Sequence, residues 1–243
     1  MKKAIGYVYV IAAAVCWGFL GLFNRVLTAA GVSLLNMMPL RFGGTAILFT
    51  VFCMMFKQQV FHIKLRHLPI FLGSGLISML LVLCGCALVS GIVGSDVGIS
   101  LEGLLMGLAS ELCYGGYTIF THYGMRYCDS FTMAYWTFLI AGIASLFLAD
   151  GPALLKALAE PRTGLAALGL MVMGTALPFT LYTKGLETVE SGKAAIIANI
   201  EPVMSAVIGV TVFQETLGLW TLVGIVLVLS GVVVLACEKE PDK

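Results

Sequence analysis

Two carboxylates lie where an apolar chain rarely carries them. Glu111 falls about 12 residues into an apolar run that opens near position 99. At about 1.5 Å of rise per residue that is roughly 18 Å of helix, close to the middle of a hydrocarbon layer about 30 Å thick. A carboxylate there costs at least about 2.5 kcal/mol to insert, so it must face protein or water. Helical spacing places Gly107, Tyr114, Thr118 and Thr121 beside Glu111 in one stripe of small and polar residues. Such a stripe is poorly matched to lipid. Two readings stand: a protonatable or substrate-facing group lining a cavity, or a protonated carboxyl bonded to a neighbouring helix.

Glu201 is the second such acid. Ala194, Ala198, Glu201, Ser205 and Gly209 recur at helical spacing and share a face that permits close helix approach or lines a pathway. Pro202 has no N–H, so it frees the carbonyl of Ala198 and should kink the helix beside the carboxylate. Asn199, Glu201 and Pro202 together are then a substrate contact or hinge, or else a structural kink in which Glu201 caps a neighbouring backbone group. Arg41 lies about seven residues inside another apolar run. It either snorkels to the outer interface or pairs with a carboxylate or an anionic substrate. Trp17, Tyr114, Tyr117 and Tyr182 could stack on a ligand, although core and interfacial aromatics look the same in sequence.

The elements that position these groups follow from composition. Of 243 residues, 60% are hydrophobic and 11% charged, with a mean hydropathy of +1.01. A soluble domain carries about 25% charged residues. A net charge of +1 supplies no field for nucleic acid. Seven cysteines, mostly inside apolar runs, do not read as a disulfide framework. No Gly-x-Ser-x-Gly, His-Glu-x-x-His or phosphate-loop motif occurs, and His62, His67 and His122 are not spaced as metal ligands. The sequence predicts neither an enzyme nor a cofactor.

Eight apolar stretches are legible, at 5–23, 34–56, 68–93, 99–121, 131–148, 165–182, 194–213 and 217–237. In lipid the backbone must satisfy its own hydrogen bonds, so each is expected to be a helix. The fold class is therefore all-α, a polytopic membrane bundle of about eight spans. With the N-terminus inside, ten Lys and Arg fall in inner segments and three (Arg25, Lys156, Arg162) in outer ones. That bias puts both termini in the cytoplasm.

The chain also overlays itself. A shift of 97 places Gly6 on Gly103, Cys16 on Cys113, Trp17 on Tyr114, Gly18 on Gly115, Phe23 on Phe120 and Ser33 on Ser130. Near the third stretch the shift is 96, with Leu72 on Leu168 and Gly73 on Gly169. Ser90-Gly91 then matches Ser230-Gly231 at a shift of 140, so the first half lacks about 44 residues that the second keeps. The halves hold three and five helices. A complete five-helix unit is odd, so two copies are inverted across the membrane, as in many secondary transporters.

Several segments resemble the EamA-like branch of the drug/metabolite transporter superfamily. They are Gly115-Gly116-Tyr117-Thr118-Ile119 after Cys113-Tyr114, Ser191-Gly192-Lys193-Ala194-Ala195 leading through Asn199-Ile200-Glu201-Pro202-Val203, and Phe213-Gln214-Glu215-Thr216-Leu217. Cys16-Trp17-Gly18 and Pro39-Leu40-Arg41-Phe42 are similar to the family's opening helices. The resemblance implies ten helices in two repeats, alternating access, and a central cavity that the first repeat's missing helix would help to line.

The expectation is thus a shortened first EamA-like repeat (1–95), a complete second repeat (96–238) and a cytoplasmic tail (239–243). It would act as a secondary transporter of a small metabolite or drug in the inner membrane, with export coupled to protons as one mode. The partners are a small-molecule substrate and the bilayer. The alternative is a non-transporting remnant or a subunit that needs a partner, and a homodimer could supply the missing wall.

Overall fold

The computed structural model describes residues 2–56, 58–61, 63–89 and 101–237. The Ser90-Gly91 match, the boundary at 95/96, the end of the third stretch and the tail lie outside them. So does the Glu111 side chain, although the backbone of Glu111 is described.

Helix occupies most of each apolar stretch over the described residues. The order is α1 (Lys2–Gly18), α2 (Leu20–Ala29), α3 (Leu34–Met38), α4 (Thr45–Phe56), α5 (Leu68–Val89), α6 (Leu101–Gly124), α7 (Ser130–Ser145), α8 (Gly151–Leu158), α9 (Pro161–Met171), α10 (Leu177–Gly185), α11 (Ser191–Ala198), α12 (Ile200–Phe213) and α13 (Leu219–Cys237). Described residues contain no strand. Four continuous helical runs, Ala4–Ala29, Leu35–Phe56, Pro161–Gly185 and Ser191–Phe213, are long and apolar enough to cross a membrane. Leu68–Ser78, Ser130–Ser145 and Thr221–Val233 are shorter apolar helices.

The long runs are not uniform. Wide π turns, π1 (Pro39–Gly44) and π2 (Val172–Ala176), interrupt the second and the sixth apolar stretches. A π turn shifts the register of the backbone hydrogen bonds and marks functional sites often. Here Thr45 donates to the Met171 carbonyl across helices at 3.1 Å, and Thr175 donates to Leu170 O at 3.0 Å. The Ala198/Asn199 break between α11 and α12 is the kink that Pro202 predicts.

α1 packs against α10, α11 and α12, α5 against α6 and α7, and α7 against π1 and α10. The central core joins Trp17, Phe42, Phe138, Phe179 and Tyr182, and a second core joins Leu27, Met37, Leu40, Ala166 and Leu170. Glycines set the closest approaches. A Cβ on Gly169 would fall 2.3 Å from the Phe23 ring, and one on Gly73 would fall 2.5 Å from the Phe120 ring. A Cβ on Gly18 would meet the Met204 Cβ at 2.4 Å and its backbone carbon at 3.2 Å, whereas one on Gly115 would meet nothing within 4 Å among the described residues. Gly18→Ala should therefore lower stability by about 1–3 kcal/mol. Gly115→Ala should be neutral or slightly stabilising, since Ala is the better helix former. Unfolding in detergent checks the pair; equal losses at both positions contradict this packing.

Two features were not expected from sequence. Arg25, counted above with the outer loops, lies within α2, pairs with Glu215, and holds its guanidinium 4.4 Å from the Phe213 ring centroid. Gln214 makes that pairing possible by adopting φ 56°, which turns Glu215 N back to Gly209 O at 3.1 Å. α8 is a short amphipathic helix started by Asp150, whose carboxylate accepts from Ala153 N.

In the loop between α6 and α7, burial pushes the Cys128 thiol up to about 11, with the Asp129 carboxylate adding to the effect. The reactive thiolate is then scarce at pH 8. A variant keeping only this cysteine should react with a maleimide about a hundredfold more slowly than an exposed thiol at pH 8, and faster as pH rises towards 11. A rate at pH 8 equal to that of free cysteine contradicts this.

Candidate functional site

Four of the sequence candidates, Trp17, Tyr114, Thr118 and Tyr182, come together where side chains of α1, α6 and α10 meet. Trp17, near the end of α1, stacks edge-on against Phe179 with centroids 5.2 Å apart, and lies 5.3 Å from Tyr182. Tyr114 on α6 completes the group, 6.4 Å from Trp17 and 6.0 Å from Tyr182. Phe179 and Tyr182 share a face of α10 because they are three residues apart. Tyr182 is fully buried, Trp17 is 4% exposed and Tyr114 is half-buried, so among the described residues these rings pack mainly against one another.

Polar atoms thread this cluster. Thr118 donates to Tyr114 O at 3.0 Å, which leaves its oxygen to accept from the Tyr182 hydroxyl at 3.2 Å. Trp17 Nε1 is shielded from solvent and has no hydrogen-bond partner among the described residues. The shielded Tyr114 hydroxyl makes no hydrogen bond of normal geometry among the described residues, although Tyr182 and Glu201 are within electrostatic reach. A buried donor left unmade costs about 1–3 kcal/mol. Glu201 stands half-buried in the first turn of α12.

Arg41 enters from π1. Its Nε donates to Thr175 Oγ1 of π2 at 3.2 Å, and its guanidinium lies 5.7 Å and 5.9 Å from the Phe42 and Phe179 ring centroids. The side chain therefore turns into the bundle and does not snorkel outward. Asn199 and Pro202 are exposed, and Asn199 Nδ2 donates to Ala195 O at 3.2 Å. They shape the break beside Glu201 and do not join the cluster.

Thr175 and Phe179 were not picked out from sequence. A usable signal existed, because Thr175, Phe179 and Tyr182 recur at the 4-then-3 spacing of one helical face.

An apolar helical bundle with four runs long enough to cross a membrane is a membrane protein, and comparison with known proteins gives its class. The model of the EamA-like transporter family matches residues 101–237. The chain belongs to that family. It is 26% identical to the uncharacterized transporter YwfM of Bacillus subtilis over 174 residues, which are 70% of this chain and 57% of that protein. It is 26% identical to the uncharacterized inner membrane transporter YicL of Salmonella typhimurium over 154 residues, 60% of this chain and 48% of that protein. It is 33% identical to the multidrug resistance protein EbrB of Bacillus atrophaeus over 94 residues, 38% of this chain and 80% of that protein. Against YwfM and YicL the chain spans about half the length of its relatives.

Proposed function

We propose that this chain is a secondary transporter that carries a small metabolite or drug across the inner membrane by alternating access. The halves, 1–95 and 96–238, are read as inverted repeats of three and five helices, giving eight crossings with both termini in the cytoplasm. They rock about the cluster of Trp17, Tyr114 and Tyr182.

One observation carries this reading. The ring of Phe23 covers Gly169, and the ring of Phe120 covers Gly73. Phe23 corresponds to Phe120 and Gly73 to Gly169 in the internal overlay. Each contact joins opposite halves, and each is the image of the other. Trp17 and Tyr114, also counterparts, meet between them. A pseudo-two-fold axis in the membrane plane exchanges the outer and inner ends of such a molecule. The Phe23–Gly169 contact then serves as the outer gate and Phe120–Gly73 as the inner one. With both closed, the cluster is occluded.

Within that frame Arg41 receives an anionic group of the substrate, the aromatic rings take its apolar part, and Glu111 and Glu201 exchange protons. The test is uptake by the purified chain in proteoliposomes of labelled amino acids, sugars and cationic dyes across pH 5.5–8.5. The reading expects transport of at least one class and a pH profile flattened by Glu201→Gln or Glu111→Gln. Profiles unchanged in both variants remove the acids as proton sites.

A second reading is a subunit that needs a partner. It is favoured by Gly18 receiving Met204 while its counterpart Gly115 has no such neighbour among the described residues. If the chain alone moves nothing, and a version with about 44 residues restored to its first half does, the second reading replaces the first. Crosslinking that finds only monomers counts against a homodimer.

A further inference from the structure

Away from the aromatic cluster, the segment between α4 and α5 and the loop between α6 and α7 enclose a cavity of about 540 Å³. Its floor is apolar, with Val60 and Phe71 buried and Ile63 half-buried. Its rim carries Lys64, His67, Arg126 and Tyr127. Asp129 contributes the carboxylate of the lining, and it accepts from the Thr132 hydroxyl. Arg66 stands within electrostatic reach of Tyr127. Among the described residues, Lys64, Arg126 and the nearby Arg66 set three cations against one carboxylate, which makes the mouth positive.

The rim is held in place before any ligand arrives. Short 3₁₀ turns, Gln58–Phe61 and Leu65–His67, fold the first segment over the cavity. Trp136 Nε1 donates to Val60 O at 3.0 Å and fixes the first turn to α7. The His67 ring packs on Tyr127 with centroids 4.4 Å apart, and the Tyr127 hydroxyl bonds that of Tyr123 at 3.0 Å. The Arg126 guanidinium lies 5.2 Å from the Tyr123 ring centroid. The Arg126 guanidinium, held over a ring, loses less freedom on binding than a free side chain, and its geometry suits phosphate oxygens.

An apolar floor beneath a cationic rim fits a phosphate ester whose other substituent is apolar. We propose that this cavity binds a phosphate-ester anion, the chemistry shared by anionic phospholipid headgroups and small soluble phosphate esters. The cavity opens where α5 and α7 begin, the depth at which basic pockets between spanning helices hold lipid headgroups. Its assignment to the inner leaflet rests on the orientation proposed above, whereas its chemistry does not.

The experiment uses the full chain in detergent, with native mass spectrometry counting bound phosphatidylglycerol or phosphatidylcholine. The wild type should retain phosphatidylglycerol in preference. K64Q/R126Q should weaken that binding roughly thirtyfold, about a factor of five for each basic group at an anionic surface. K64R/R126K should preserve it. So should K184Q, which removes a cation outside the cavity that pairs with Glu187. Displacement of the lipid by glycerol 3-phosphate identifies a soluble ester as the ligand source, and resistance to it identifies the lipid. No preference for phosphatidylglycerol in the wild type, or equal binding by wild type and K64Q/R126Q, or an equal loss in K184Q, overturns the proposal. The wild-type preference decides the matter if K64Q/R126Q does not fold.

Discussion

Arg41→Gln is expected to cut transport roughly tenfold or more while the chain still folds. The guanidinium holds Thr175 through Nε at 3.2 Å, and a hydrogen bond to a charged group is worth about 1.5–3 kcal/mol. Gln can still bond Thr175, so the helices stay joined, but it brings no charge to meet an anionic substrate. Arg41→Lys restores the charge without the planar fork and should recover only part of the activity. Uptake by each variant at equal reconstituted protein is the measurement. Wild-type uptake by Arg41→Gln contradicts a role for this residue in the pathway.

Gly142→Val is expected to be the most damaging single change to stability, by about 3 kcal/mol or more. A Cβ at position 142 would fall 2.9 Å from Gly43 Cα, 3.1 Å from Gly43 N and 3.2 Å from the Phe42 carbonyl carbon. All three are backbone atoms and cannot swing aside as a side-chain tip can. Overpacking a tight site commonly costs about 1–3 kcal/mol, and more where nothing yields. The displaced segment would be π1, which carries Arg41, so the same variant should also lose transport. Thermal unfolding in detergent, with Gly115→Val as the control at an open position, checks the effect. Equal unfolding midpoints for the two variants contradict it.

The helices were legible because lipid leaves an apolar backbone no alternative. The predicted 34–56 stretch coincides with the run from α3 to α4, and α6 extends the predicted 99–121 stretch to Gly124. The Asn199 break was legible from the missing N–H of Pro202. The π turns were not, because the same residue types favour π and α turns alike. α8 was overlooked inside a polar-looking loop, although Asp150 followed by Gly151-Pro152 is a helix-start signal. Arg25 was counted as an outer-loop charge because its partner, Glu215, lies 190 positions away and no local pattern links them. At the site, Trp17, Tyr114, Thr118 and Tyr182 were chosen for residue type and do meet. Their packing against one another is a tertiary outcome that no single apolar stretch encodes. Arg41 turns inward because Thr175 and Phe179 offer it a partner and a ring face there, which the second apolar stretch alone could not reveal.

The central claim is that the Trp17–Tyr114–Tyr182 cluster is reached alternately from the two membrane faces. The direct test places a single cysteine at Thr118 in a background whose natural cysteines are replaced by serine, and labels it with a membrane-impermeant maleimide from each side. A reversible bifunctional thiol reagent then bridges cysteines introduced at Phe23 and Gly169, or at Phe120 and Gly73. The account predicts labelling from both sides without a bridge, inner labelling alone with the first pair bridged, and outer labelling alone with the second. Labelling from the same side whichever pair is bridged contradicts alternating access about this cluster.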